Sequence, residues 1–455
     1  MEQKNDFSKG SIPKAIWSLA LPMIAAQVIN ILYSVVDRMY LGHMEGVGRL
    51  ALTGLGICLP IISIVIAFAN LCGMGGAPLC SIHRGKGEHE EAERILGNSF
   101  TLLLLFGGCI TALFLLVKKP VLYLFGASDA TFGYADDYLT IYLLGTLSVM
   151  IGLGLNPFIN SQGFGKTGMM TVLLGAVVNI ILDPIFIFGL KLGVRGAALA
   201  TILAQTCSAV WVLRFLTGEK AILRLRLSTM KLQARRVRRI LSLGVSGFLM
   251  AMTNSLVQVL CNASLQYYGG DLYVGVMTVL NSVREVLSMP AQGFGNGLQP
   301  VLGFNYGAKE YGRVREGIRF GTKTSILYMG TVWAVIMLFP QLFIHIFNSE
   351  AQLLEAGVPA MRMYFSAFFI FGLQMAGQNA FVALGKAKQA SFFAVFRKVI
   401  VLTPFLLLLP LRIGVDGVFW AESLSQAIGG IACYLTMYFT VYRPLGQLEQ
   451  PQPKT

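Results

Sequence analysis

The sequence has little charge and few histidines, and each shortage excludes a class of protein. Asp, Glu, Lys and Arg make up only 13% of the 455 residues, whereas soluble domains carry about 25%. The seven cysteines include no C-x-x-C pair, so we predict neither a zinc framework nor a disulfide framework. The four histidines lack metal-ligand spacing, and no nucleophile elbow or HExxH motif occurs. We therefore expect no enzymatic activity.

Signals for nucleotides and nucleic acids are also missing. Gly165-Lys166-Thr167 resembles the end of a P-loop, but Asn160 stands where that motif needs its first glycine. The formal net charge is +14, yet the basic residues cluster in connections between apolar segments. That distribution is typical of loops facing an anionic membrane surface. We therefore expect no nucleotide cofactor and no nucleic-acid partner.

Long apolar runs are what the sequence has in abundance. Hydrophobic residues are 55% of the chain and the mean hydropathy is +0.66. Twelve segments are long enough to cross a hydrocarbon core of roughly 30 Å, which predicts an all-α integral membrane protein. They lie near residues 15–41, 51–82, 95–117, 134–156, 168–190, 194–216, 238–268, 272–304, 317–340, 355–383, 390–411 and 415–440.

The connections between these segments predict orientation and domains. Most of the 36 Lys and Arg residues lie at the termini and in the connections on one side, which places both termini in the cytoplasm. The first segment is too long for a signal peptide, so we expect it to be a retained helix of a multi-pass membrane protein. The predicted domains are a cytoplasmic N-terminus (1–14), an N-lobe (15–217), a basic linker (218–237), a C-lobe (238–441) and a cytoplasmic tail (442–455).

The two halves of the chain repeat each other. Five residues recur at a constant offset: Gly73, Gly75, Pro78, Gly85 and Glu88 reappear as Gly295, Gly297, Pro300, Gly307 and Glu310. Gly165-Lys166 recurs as Gly385-Lys386, and the segment 193–196 recurs as 414–417. Six crossings return the chain to its starting side, so we predict two six-helix lobes related by a pseudo-two-fold axis along the membrane normal. Between such lobes we expect a central cleft for substrate.

Polar side chains follow one face of the first predicted helix and lead to an acid. Gln27, Asn30, Ser34 and Asp37 are spaced three or four residues apart, which places them on one face. With Tyr33, the residues that precede Asp37 are predicted to line the cleft. Ionisable residues within membrane spans are costly and usually functional.

A second acid lies on the fifth predicted helix. Asn179 and Asp183 are one turn apart there, and Asn156 and Thr201 lie on the fourth and sixth helices. Together with Asp37 these oxygen donors would suit Na⁺, or one or two protons shared between the carboxylates. The sequence therefore predicts a site for a coupling cation in the first half.

Other interpretations of these acids remain open at the level of sequence. Asp37 could form a local ion pair with Arg38, and Asp183 could belong to a simple helix bend with Pro184. Pro22 and Pro184 each free a backbone carbonyl and are predicted to bend their helices.

The second half lacks the acid pair, because Thr403 replaces Asp183. Its predicted cleft residues are Gln258, Asn262, Asn281, Glu285, Gln374 and Gln378. Glu285 appears as the single deep acid of this half and a candidate counter-charge for a cationic substrate, with a structural ion pair to Arg284 as the alternative. Arg397 and Lys398 either snorkel to the cytoplasm or face the cleft.

Three features of the sequence resemble a known family. The segment VDRMYLG at 36–42, the glycine-rich end of the second helix and NIILDP at 179–184 resemble multidrug and toxic compound extrusion (MATE) transporters, and are similar to the MepA-like bacterial branch. The resemblance implies a cation site at Asp37, Asn179, Asp183 and Thr201, and a drug-associated acid at Glu285. Acids that other branches carry on helices seven and ten are absent.

The function implied by the resemblance is secondary active multidrug efflux. Lipophilic cationic compounds would leave in exchange for H⁺ or Na⁺ by alternating access, with that ion as the sole cofactor. Small cationic drugs and membrane lipids are the expected partners of a monomer. Two alternatives stay open: a lipid-linked oligosaccharide or precursor flippase of the same superfamily, and an intramembrane enzyme.

Overall fold

The computed structural model describes residues 6–42, 44, 48–347 and 351–449, and nearly all of them are helical. No strand occurs in these ranges, which confirms the all-α prediction. The outer parts of the predicted N-terminus and cytoplasmic tail, residues 1–5 and 450–455, lie outside the described chain.

The helices of the first half have these bounds: α1 Ile12–Gly42, α2 Gly48–Gly85, α3 His89–Leu124, α4 Asp129–Leu144, α5 Thr146–Ser161, α6 Gly165–Pro184 and α7 Val194–Thr217. A π-helical segment, Ile185–Gly189, continues α6, and a 3₁₀ turn, Leu227–Thr229, precedes α8.

The helices of the second half are α8 Ala234–Gly307, α9 Tyr311–Leu338, α10 Pro340–Phe347, α11 Ala351–Phe365, α12 Phe371–Ala383, α13 Ala387–Val395, α14 Thr403–Leu408, α15 Pro410–Ile413, α16 Val415–Met437 and α17 Arg443–Glu449. A 3₁₀ turn, Phe368–Ile370, joins α11 to α12. Two π-helical segments, Phe396–Leu402 and Tyr438–Tyr442, follow α13 and α16.

The number of membrane crossings agrees with the sequence. Eight described helices are long and apolar enough to cross a membrane, and three bent pairs add one crossing each: α4 with α5 (58°), α9 with α10 (87°) and α11 with α12 (40°). Helix α8 has 74 residues and is broken at Gly270, where φ is 68° and ψ is −167°. At 1.5 Å per residue it is about 110 Å long, enough for two crossings. The twelve predicted crossings are therefore present.

The described chain forms two compact units. Unit 1 comprises residue 6 and residues 21–244, and unit 2 comprises residues 7–20 and 245–449. The start of α1 thus belongs to unit 2, and the start of α8 belongs to unit 1. This exchange was not expected from the predicted lobe boundaries.

The recurring glycines allow close helix contacts inside each unit. A Cβ added at Gly75 of α2 would lie 2.2 Å from the carbonyl oxygen of Ile240 in α8. A Cβ added at Gly297 of α8 would lie 2.5 Å from the backbone of Ala20 in α1. Each glycine therefore allows the backbone of another helix to approach to a distance that a larger residue would prevent.

Backbone turns test the other recurrences. Gly193 and Gly414 precede α7 and α16 with φ of 56° and 60°, which confirms their equivalence. The pairing of Gly165 with Gly385 is wrong by two residues. Gly163 (φ 90°) is the counterpart of Gly385 (φ 68°), since each closes the turn after its helix in the left-handed region that favours glycine.

The basic linker is anchored on α3. The Nδ2 of Asn98 donates to the carbonyl oxygens of Thr229 (3.2 Å) and Lys231 (3.0 Å), and its Oδ1 accepts from the backbone N–H of Gln233 (3.0 Å). Arg236 forms a two-point ion pair with Glu91 of α3 (2.8 and 2.7 Å). The linker is therefore part of unit 1 and is held on α3 by buried and partly buried polar contacts.

Candidate functional site

The two predicted acids of the first half meet inside unit 1. Asp183 and Asn179 are 0% and 1% exposed on α6, and the Nδ2 of Asn179 donates to the Oδ1 of Asp183 (3.3 Å). The side chain of Asp37 in α1 lies within hydrogen-bonding reach of Asp183. Two carboxylates offer no donor, so a close contact between them requires a shared proton or a cation. The arrangement is chemically suited to bind H⁺ or Na⁺.

Thr201 joins this group through a tyrosine that sequence reasoning missed. Tyr138 of α4 is 4% exposed, bonds to the Thr201 side chain and lies beside Asp37. Tyr33 lies close to both Tyr138 and Tyr142. The two tyrosines of α4 are one turn apart and stack with centroids 6.2 Å apart. The spacing of Tyr138 and Tyr142, four residues apart, was the available signal in the sequence. In an apolar helix, however, such a pair looks like two side chains of the hydrophobic core.

The backbone beside Asp183 is irregular. Helix α6 ends at Pro184, which has no N–H, and the π-helical segment Ile185–Gly189 follows directly. π-Helical turns are rare and often occur at functional sites. Pro22 lies within α1 and is buried. The predicted bending role of the two prolines stays a prediction.

The remaining polar residues of α1 have mixed environments. The Ser34 hydroxyl donates to the carbonyl oxygen of Asn30 (2.9 Å), one turn earlier in the same helix. Gln27 is half-buried and Asn30 is exposed. The proposed partner Arg38 has a side chain outside the described part of the structure, so an ion pair with Asp37 stays untested.

The structure does not bring Asn156 to the acids. Its Nδ2 donates to the carbonyl oxygen of Gly168 (3.2 Å), and Gly168 precedes Asn179 by about 16 Å along α6. Gln378 makes the matching bond in unit 2, from Nε2 to the carbonyl oxygen of Ala390 (3.0 Å). Because the two bonds join equivalent positions of the repeat, both side chains act as ties between neighbouring helices.

Unit 2 contains a cavity of about 440 Å³. Gln258, Asn281 and Glu285, all predicted cleft residues, line it. The Tyr364 hydroxyl donates to the Oδ1 of Asn281 (3.0 Å). The other predicted cleft residues of this half, Asn262, Gln374 and Gln378, are not among its described lining residues.

A buried ionic cluster forms one wall of this cavity. The Oε1 of Glu422 in α16 accepts from Arg284 (2.9 Å), Arg397 (2.9 Å) and Lys398 (3.1 Å). Glu422 is 3% exposed, and Arg397 and Lys398 are each 4% exposed. We call these four residues the Glu422 cluster.

The cluster corrects one prediction and decides between the alternatives left open for Arg284, Arg397 and Lys398. Glu285 is exposed at the cavity, so the buried acid of the second half is Glu422. The prediction that Glu285 is the single deep acid is wrong. Arg284 pairs with Glu422, and Arg397 and Lys398 are buried beside it and do not extend to the surface.

Comparisons with known proteins agree with this architecture. The family model MatE matches residues 22–185 and 247–407. Multidrug export protein MepA of Staphylococcus haemolyticus is 23% identical over 443 residues, covering 97% of this chain and 96% of its own. MepA of Staphylococcus aureus strain MSSA476 is 23% identical over 448 residues, covering 96% of each chain. A solved structure of the MATE multidrug transporter DinF-BH is 34% identical, with a TM-score of 0.87 and coverage of 94% of this chain and 96% of that one. The chain therefore belongs to the MATE family of multi-pass membrane transporters.

Proposed function

We propose that this protein is a secondary active multidrug exporter that exchanges lipophilic cationic compounds for H⁺ or Na⁺. The contact between Asp37 and Asp183 carries the proposal. Two carboxylates within hydrogen-bonding reach of each other, one of them fully buried, favour binding of a cation between them. The names of the MepA relatives, which are multidrug export proteins, support the choice of substrate.

The coupling step is the neutralisation of this acid pair. A proton or Na⁺ between Asp37 and Asp183 removes their repulsion, while Asn179 holds one carboxylate in place. The interruption of α6 at Pro184 gives the backbone beside Asp183 room to change. Each inward charge draws about 2.3 kcal/mol per 100 mV from the membrane potential, which can oppose a drug gradient.

The substrate class follows from charge and apolar surface. A lipophilic cation would find a carboxylate at Glu285 and aromatic faces such as Phe368 and Phe371 in the unit 2 cavity. Within unit 1, Tyr33 and the polar face of α1 are further candidate contacts for such a compound. Export would proceed by alternating access.

The proposed cellular setting is the cytoplasmic membrane of a bacterium, with both termini in the cytoplasm. The concentration of basic residues in the linker and in the connections on the same side supports this orientation. We propose a monomer that uses ion gradients and no nucleotide.

The test is transport in liposomes containing the purified chain. A pH gradient and a Na⁺ gradient are imposed separately while ethidium movement is followed by fluorescence. We expect one gradient to drive export, and we expect Asp37→Asn and Asp183→Asn to reduce that export to the level of protein-free vesicles. Asp271→Asn removes an exposed acid of unit 2 and is the matched control. Full-rate export by well-inserted Asp37→Asn and Asp183→Asn proteins would refute the coupling role.

Flipping of a lipid-linked precursor is a second candidate function, which the Glu422 cluster favours. Arg284, Arg397 and Lys398 could contact the pyrophosphate of such a lipid. A fluorescent lipid-linked pyrophosphate in the same vesicles separates the two functions. Ion-independent flipping with no ethidium export would replace the drug-export proposal.

A further inference from the structure

The Glu422 cluster has more positive than negative charge. Three cations share the single carboxylate of Glu422. Glu285 is the other acid among the described residues that line the cavity, and no ion pair joins it to the cluster in the described part of the chain. The cluster alone therefore carries two positive charges in excess, and the cavity lining carries one.

Burial makes this excess costly. Taking a charged side chain out of water is unfavourable unless partners compensate for the lost hydration. Arg397 and Lys398 are each 4% exposed. The Nε–H of Arg397 is buried and finds no acceptor among the described residues. A cationic cluster with an unused donor is incomplete without a further negative group.

The helices are shaped to hold this arrangement. A Cβ added at Gly429 of α16 would lie 2.6 Å from the Cγ of Arg397, so glycine leaves room for the arginine stem. The Arg397 guanidinium lies over the ring of Phe371 (5.6 Å), and that of Arg284 lies over Tyr364 (6.0 Å). Both arginines are therefore held by side-chain packing as well as by Glu422.

The rest of the cavity is suited to an apolar body. Met250, Val257, Met277 and Phe368 line it together with the cluster. A volume of about 440 Å³ falls within the range of small-molecule pockets, about 300–1,000 Å³. Apolar walls with cationic groups on one side match an amphipathic anion.

We propose that the unit 2 cavity binds an organic anion whose carboxylate or phosphate head contacts Arg284, Arg397 and Lys398 and whose apolar body packs on Phe368 and the methionines. This goes beyond the export of cations, because it assigns to the cavity a second ligand class that contacts the Glu422 cluster and not Glu285. The head could belong to a soluble compound or to a lipid, and the chemistry of recognition is the same.

Binding to the purified full-length chain tests this inference without any transport step. The probe is tritiated naphthalene-1-acetate, and the comparison probe is the uncharged 2-(1-naphthyl)ethanol. Both are measured with protein in detergent, in phosphatidylcholine nanodiscs and in nanodiscs containing phosphatidylglycerol. We expect saturable binding of the acid and at least about tenfold weaker binding of the alcohol.

Three variants test the position of the site. Lys398→Gln should weaken binding of the acid by about tenfold or more, since it removes a buried charge. Glu285→Gln should strengthen it, because this exposed side chain repels the anion and can be changed without disturbing the core. Lys323→Gln removes an exposed charge from α9, outside the cavity, and should leave binding unchanged.

Folding is checked by size-exclusion elution and thermal unfolding. If Lys398→Gln does not fold, Arg284→Gln decides, because that side chain is 26% exposed and its replacement is easier to accommodate. Loss of naphthalene-1-acetate binding in phosphatidylglycerol nanodiscs only would support the site and identify a lipid head as its occupant.

Two results would overturn the inference. One is equal binding of the acid and the alcohol, which would indicate a purely apolar pocket. The other is the absence of saturable acid binding, or binding unaltered in the folded Lys398→Gln or Arg284→Gln protein. Ethidium export and its dependence on Asp37 and Asp183 would be unaffected by either result, so the two proposals fail separately.

Discussion

Replacing Gly75 by alanine tests the packing that the repeat preserves. In unit 1 the added Cβ would lie 2.2 Å from the carbonyl oxygen of Ile240 and 2.9 Å from the backbone nitrogen of Gly244. Both neighbours are backbone atoms in α8, so no side-chain rotation can relieve the contact. The two helices must move apart, which disturbs the start of α8 where the linker enters.

The magnitude follows from that displacement. A carbon–oxygen contact normally measures about 3.3–3.6 Å, so the carbonyl of Ile240 must retreat by about 1 Å. Overpacking of this kind costs about 1–3 kcal/mol, while alanine in place of glycine inside a helix returns about 1 kcal/mol. We expect Gly75→Ala to lower the free energy of unfolding by up to about 2 kcal/mol.

Thermal unfolding of the purified protein in detergent measures this effect. Gly56→Ala is the matched control, because Gly56 lies in the same helix and no described atom stands within 4 Å of its added Cβ. The control should be neutral or slightly stabilising. Equal unfolding temperatures for Gly75→Ala and Gly56→Ala would refute the close-contact reasoning.

Contacts elsewhere give three more expected outcomes. Lys309→Gly should stabilise the protein by about 0.5–1 kcal/mol in denaturant unfolding, because Lys309 has a φ of 63° at the position that Gly87 occupies in the first repeat; a loss of stability would contradict this. Asn98→Ala should speed tryptic cleavage of the basic linker, because it removes the bonds that anchor it, and an unchanged cleavage rate would contradict that role. Glu422→Gln should lower the free energy of unfolding, measured by thermal unfolding, by about 3–5 kcal/mol, because the buried cations lose their shared carboxylate. Glu285→Gln, at an exposed position, is the comparison. Similar effects of the two substitutions would contradict the stabilising role of Glu422.

Much of the fold could be predicted because a membrane imposes a simple pattern. Apolar length alone predicted the crossings, and the break in α8 at Gly270 lies between the predicted spans 238–268 and 272–304. The bends were harder to predict. Gly145 separates α4 from α5 at an angle of 58°, yet hydropathy continues through it without a break.

The acid pair of unit 1 was predictable for a local reason. Asp37 ends a polar stripe on one helix, and Asp183 has Asn179 one turn before it, so each acid has a signal in its own sequence. Tyr138 has no such signal, because a tyrosine in an apolar helix is usually core. Asn156 was predicted as an ion ligand because it is polar. Polarity alone does not distinguish an ion ligand from a side chain that hydrogen-bonds to a neighbouring helix.

Glu422 had a signal in the sequence, because it is an acid within the predicted span 415–440, but its partners could not be predicted because they come from separate parts of the chain. Arg284 lies in α8, Arg397 and Lys398 lie in a π-helical segment, and Glu422 lies in α16. Adjacent residues of a regular helix point about 100° apart, so nothing local suggests that Arg397 and Lys398 reach the same carboxylate. Only the packing of these elements brings them together.

Comparison of the two repeats distinguishes residues needed for packing, which recur, from residues that could bind a ligand, which differ. Glycines at close contacts and left-handed turns recur in both halves, as do the ties made by Asn156 and Gln378. The chemistry differs at the segment that contains Asp183 in unit 1. Its counterpart in the repeat, residues 387–413, contains no acid and carries the buried Arg397 and Lys398.

A duplicated scaffold thus presents an acid pair in unit 1 and a cationic cluster in unit 2. Both copies need the same residues at close helix contacts and turns, because both have the same fold. The residues that bind a ligand can differ, so each copy can bind a ligand of a different charge. A cation site in one half therefore gives no reason to expect a second one in the other. The excess positive charge of the Glu422 cluster is explained by an anionic ligand, and the opposite responses expected for Lys398→Gln and Glu285→Gln make that explanation testable.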